Sequence, residues 1–308
     1  MEEAADRRHL TGEWQTDDES AHPAFAEAEG AAYDAPLPAS ARVSIIALVA
    51  VGTVGAALLF LLGALARRGA EQGSVAFTLR APGGWKFWLP GLLLAIIVGA
   101  VVVLLARRDE RPELLSITAG IFPAVSLVTG LLIIAVYHDR RWWFVAPVVV
   151  WLAILVGTIA RALLAAPEGF TRDVARTSLT VVSYVIGFIA LAMVYINKYR
   201  SVFSASAVAV IAFLLLLQMT DGEHAALLRR VVYAVVGALI VGQVTWVINY
   251  WSATGWTGGA FLLAVFYLIA GLSAAQLRDR VQPFDIVEFG GVALVAIVIV
   301  SAAVWFQR

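Results

Sequence analysis

Beginning at Val43, runs of about twenty apolar residues follow one another almost to the C-terminus, separated by short charged or polar breaks. An α-helix rises about 1.5 Å per residue, so about 20 residues cross the roughly 30 Å of hydrocarbon in a bilayer. The runs are Val43–Ala66, Phe87–Ala106, Leu114–Tyr137, Trp142–Ala165, Thr177–Asn197, Ser201–Met219, Leu228–Tyr250, Thr257–Gln276 and Ile286–Phe306. A chain in lipid must satisfy its own backbone, which leaves helices as the spanning form for runs of this length. The expected fold is therefore all-α: a polytopic transmembrane helical bundle of about nine spans, within a range of eight to ten. The division at Asn197-Lys198-Tyr199-Arg200-Ser201 is the shortest and sets that range.

The breaks are chemically distinct from the runs. They include Arg67-Arg68, Arg107-Arg108-Asp109-Glu110-Arg111, His138-Asp139-Arg140-Arg141 and Asp221-Gly222-Glu223-His224. Trp85, Trp88, Trp142, Trp143, Tyr250, Trp251, Trp256 and Trp305 fall near span ends, where amphipathic rings settle. Only 14% of the chain is charged, against about 25% in soluble domains, and a water-facing surface could not be covered with so few charges. Pro90, Pro123 and Pro147 lie inside spans two, three and four and predict kinks there.

Residues 1–42 read differently. They carry ten acidic residues against Arg7, Arg8 and Arg42, with few large apolar side chains. Such a segment cannot offset its ordering entropy, so a disordered acidic tail (1–42) is expected ahead of a transmembrane domain (43–308). Trp14, Phe25 and Tyr33 sit among its acids and suit docking to a protein partner. The tail lacks the apolar stretch of a cleavable signal, and the overall charge balance gives no field for nucleic acid. The bilayer itself is the expected surrounding, with a bacterial plasma membrane as the location and the N-terminus on the cytoplasmic side.

Catalytic chemistry finds little foothold. The absence of cysteine removes disulfides, thiolate metal sites and Cys nucleophiles. His9, His22, His138 and His224 all fall in the tail or in breaks, so none can ligate a haem between helices. Lys86 and Lys198 lie at span ends, too shallow for a mid-membrane Schiff base. HExxH, GxSxG and P-loop patterns are missing, as are paired aspartate motifs for a magnesium diphosphate. The expectation is a protein that is not an enzyme and takes no cofactor or metal.

Inside the spans the polar content is weak and arranged in stripes. Ala238, Gly242, Thr245 and Asn249 share one helix face on span seven. Ser183, Gly187, Ala190, Val194 and Asn197 do so on span five, and Ala146, Val150, Ala153, Gly157 and Arg161 on span four. Small residues in a stripe let helices approach closely, so close packing is the first expectation and a polar path the second. Gln243, near the middle of span seven, is a candidate to line a polar cavity or to bond a neighbouring carbonyl. Asp285 and Glu288 open the last span, where carboxylates favour a helix N-terminus. Arg161 is the one charge set well inside a run; it is expected to face a neighbouring helix near the interface, bonded to carbonyls or to a loop carboxylate.

The stretch from about Tyr199 to Val295, through Asn249-Tyr250-Trp251, Phe266-Tyr267 and Glu288-Phe289-Gly290, resembles a family of uncharacterised bacterial multi-helix membrane proteins. Such a family carries no established activity, so the resemblance implies no site. Two readings of function stand on the residues themselves. The first is a non-catalytic accessory, scaffolding or assembly protein. The second is a transporter or permease for a small uncharged or lipophilic molecule. In the second, the kinked spans and the polar stripes of spans five and seven line the path; Arg161, Gln243, Thr245, Asn249 and Glu288 are the candidate residues for a polar cavity or for helix packing.

Overall fold

The computed structural model describes residues 39–71, 85–106, 117–137, 141–164, 170–197, 201–221, 225–251, 255–278 and 283–306. The chain divides into two units, Met1–Arg42 and Val43–Arg308. Of the first, residues 39–42 alone are described, and they are helical. The expected tail disorder falls outside the described residues.

Among the described residues the chain forms nine α-helices: α1 Ala39–Glu71, α2 Trp85–Ala106, α3 Ile121–Tyr137, α4 Val145–Leu163, α5 Phe170–Ile196, α6 Ser201–Met219, α7 Leu227–Ile248, α8 Gly255–Leu277 and α9 Pro283–Phe306. Eight of them contain stretches long and apolar enough to cross a membrane. The ninth, α9, contributes a shorter apolar stretch, Ile286–Ala302. The architecture is an all-α membrane-type bundle.

The helices alternate in direction between two faces, as contacts at their ends show. Gly99 near the end of α2 lies against Gly120, in the turn just ahead of α3. Gly63 near the end of α1 meets Trp143, just ahead of α4. The Tyr195 hydroxyl at the end of α5 donates to the Ile248 carbonyl at the end of α7, 2.9 Å away. Gly271, late in α8, meets Phe289, early in α9. One face therefore holds the starts of α3, α5, α7 and α9 and the ends of α2, α4, α6 and α8.

Helices α3 and α5 form the centre. Helix α3 packs on α2, α4, α5 and α6, and α5 on α3, α4, α6 and α8. Leu127, Leu131 and Ile134 of α3 and Ile186, Leu191 and Met193 of α5 are fully buried. By contrast α9 packs on α8 and turns Val292, Leu294, Val295, Val298 and Ile299 outward. An apolar side chain is at home in either place, since lipid is as apolar as the interior.

Two of the three expected kinks have a different outcome. Pro123 and Pro147 each stand third in their helices, after the short 3-10 turns Ile117–Gly120 and Arg141–Phe144. First-turn N–H groups have no intrahelical acceptor, so a proline there removes nothing and starts the helix rather than bending it. Pro90 alone sits beyond the first turn of its helix, as the sixth residue of α2.

Candidate functional site

The three small-residue stripes are interior. Ser183, Gly187, Ala190 and Val194 of α5, and Asn197 just past its end, are all buried. On α4, Ala146, Val150, Ala153 and Gly157 are buried, and a Cβ on Gly157 would collide with the Phe122 ring of α3. On α7, a Cβ on Gly242 would stand 3.1 Å from the Ala209 Cβ of α6. The absent side chains are what allow these helix pairs their approach.

Arg161 closes the α4 stripe and reaches across the bundle. Its Nη2 donates to Asp221 Oδ2 at 2.6 Å and to Thr118 Oγ1 at 3.3 Å. Asp221 lies just past the end of α6, Thr118 in the turn ahead of α3. The Thr118 hydroxyl also donates to Asp221 Oδ2. From the first turn of α7, Arg230 Nη2 donates to Asp221 Oδ1 at 3.0 Å and to the Leu217 carbonyl at 3.2 Å. Four segments thus meet at one carboxylate, on the face where α4 and α6 end and α3 and α7 begin.

Among the described residues this node holds two positive groups and one negative. Two guanidinium groups share the Asp221 carboxylate. Arg161 and Asp221 side chains remain 15% and 18% exposed, whereas Arg230 is 8% exposed as a residue. Its Nε is buried without a hydrogen-bond partner. A buried donor left unsatisfied costs about 1–3 kcal/mol, more when charged. One turn deeper, Gln218 is buried beside Ser183: its Nε2 donates to Ser183 Oγ at 3.1 Å, while its Oε1 is buried without a partner.

The remaining candidates do not join this node. Gln243 is exposed on the outer surface of α7, so it lines no interior path. Thr245 is fully buried, but its hydroxyl donates to Val241 of its own helix at 2.8 Å. Asn249 is half-buried at the opposite face, with Nδ2 buried and unpartnered. Glu288 is exposed near the start of α9. Sequence reasoning singled out Arg161 and missed Asp221, Arg230, Thr118 and Gln218 as its surroundings. The usable signal was the α6–α7 connection, where an acid and a base nine positions apart flank a break on the side where span four ends.

No curated protein and no solved structure matches the chain. A family model described as a protein of unknown function, DUF5656, matches residues 74–303, about three quarters of the sequence. That extent includes α2 through most of α9 and every member of the node, and the chain belongs to this family of unknown function.

Proposed function

We propose that the protein is a non-catalytic integral membrane protein with an accessory, scaffolding or assembly role, set in a bacterial plasma membrane with its N-terminus cytoplasmic. The observation that carries this reading is how the interior polar groups are used. The buried hydroxyls of Ser126, Thr129, Thr158, Ser183 and Thr245 each donate to a carbonyl of their own helix, three or four residues back. Donors engaged in this way support helix packing and are not displayed to a passing solute. The glycines of the α4, α5 and α7 stripes are likewise taken up by neighbouring side chains.

The test is chemical cross-linking in native membranes, followed by purification of the full chain. A protein complex of fixed stoichiometry, in which α-helical faces of this chain carry the cross-links, is the expected result. Saturable uptake of a small lipophilic or uncharged solute by proteoliposomes holding the chain alone would instead establish a transporter. The acidic residues 1–42 are the proposed recruiting segment, and deleting 1–38 should then weaken the complex without affecting insertion.

A further inference from the structure

We infer that Arg161 and Arg230, held apart by Asp221, form a binding site for a phosphate oxyanion at the headgroup level of one membrane face. This does not depend on the accessory role. Arg161 lies two residues before the end of α4, and Arg230 three residues after the start of α7. Both guanidiniums therefore stand within one turn of the helix ends, where lipid phosphates lie.

Each arginine bonds its neighbours through a single nitrogen, Nη2. Among the described residues the other donors of both forks meet no acceptor, and Arg230 Nε is buried without one. Asp221 supplies the only carboxylate among the described residues to which either arginine is paired. The node thus sets two guanidinium charges against one carboxylate among the described residues, with Arg230 almost wholly buried. Burying such a charge without a counter-ion is costly, and a planar fork is well suited to a phosphate, which accepts parallel N–H bonds. The partial exposure of Arg161 and Asp221 gives an approach from the membrane face. An oxyanion entering there would bond the unused Arg161 edge and draw Arg230 Nε out of its unsatisfied position. Asp221, facing the same guanidiniums, opposes the incoming charge and tunes its affinity downward.

The same chemistry is offered by a phospholipid headgroup and by free phosphate, and the experiment separates them. The full chain, delipidated in a neutral detergent, is titrated with short-chain phosphatidic acid, short-chain phosphatidylglycerol, inorganic phosphate or sodium chloride of matched ionic strength, and its melting temperature is followed. A saturable rise with phosphatidic acid or phosphatidylglycerol beyond that with phosphate identifies the lipid; an equal rise with phosphate identifies the free ion. Arg161→Gln should remove the rise. Asp221→Asn, which deletes the competing carboxylate and keeps its shape, should tighten binding about tenfold. A merely structural node predicts destabilisation by Asp221→Asn with no gain in affinity. If Arg230→Gln fails to fold, the opposite signs of the Arg161→Gln and Asp221→Asn effects still decide. Absence of saturable binding to both the native chain and Asp221→Asn, or a response matched by chloride, overturns the site.

Discussion

Arg161→Leu deletes the Nη2 bonds to Asp221 Oδ2 and Thr118 Oγ1, and removing one partner of a largely buried ion pair costs more than the pair itself contributes. The side chains retain some exposure, so the loss for Arg161→Leu is discounted to about 2 kcal/mol. The expected outcome is normal insertion with a melting temperature in detergent lowered by several degrees. Insertion tolerates the change because span four already holds twelve Leu, Ile, Val or Phe residues between Phe144 and Leu164. Unchanged melting would show that Arg161 merely reaches the headgroups. At the opposite face, Tyr195→Phe deletes the single bond from α5 to the Ile248 carbonyl and should cost about 1 kcal/mol. Arg161 was legible because a lone charge inside an apolar run must find a partner. Asp221 and Arg230 were not, because each lies at a break, where charges need no explanation until the fold brings two breaks and a span end together. Gln243 misled for a related reason: depth along a span can be counted, but which side of the helix faces lipid cannot be read when both sides are apolar.

At the scale of helices, glycine position separates interior contacts from lipid-facing ones. Gly255, Gly258 and Gly259 open α8 on one face and meet Ile196, Tyr195 and Ala192 of α5. A Cβ at Gly259 would stand 2.5 Å from the Ala192 Cβ and 2.6 Å from its Cα, so relief requires the two helices to separate. Gly290 and Gly291 of α9 have nothing within 4 Å of a Cβ. Gly259→Leu should therefore lower the yield of monodisperse protein sharply in size-exclusion chromatography. Gly290→Ala should leave that yield unchanged or raise stability slightly, since alanine is favoured over glycine in a helix by about 1 kcal/mol. Equal tolerance at both positions would show that the α5–α8 approach contributes little. The stripes on α4, α5 and α7 could be read from spacing, whereas the α8 group was missed: its glycines cluster at one end and read equally as a turn. The prolines of α3 and α4 were located correctly but assigned the wrong effect, because the helix starts lay a few residues further along the chain than the apolar runs did.

Over the whole molecule, topology follows from the alternation of the helices more firmly than from charge. The contacts that join the ends of α5 and α7 at one face, and the ends of α4 and α6 at the other, require successive helices to cross in opposite directions. Lysine and arginine near the helix ends are almost evenly divided between the faces, so the positive-inside rule gives little direction. The sequence between α7 and α8, Ser252 to Thr254, carries no charge, and the helix ends that it joins lie at the face opposite the Asp221 node. An uncharged connection is cheap to translocate, which favours the outside for the face that carries it. The node face is accordingly expected to be cytoplasmic. Because the chain contains no cysteine, single introduced thiols report without background. Ser252→Cys should react with an impermeant maleimide in intact cells, and Ser20→Cys should react only after the membrane is opened. The reverse pattern would invert the topology and place the Arg161–Arg230 pair at the outer leaflet. Labelling of both residues in intact cells would contradict the odd number of crossings itself.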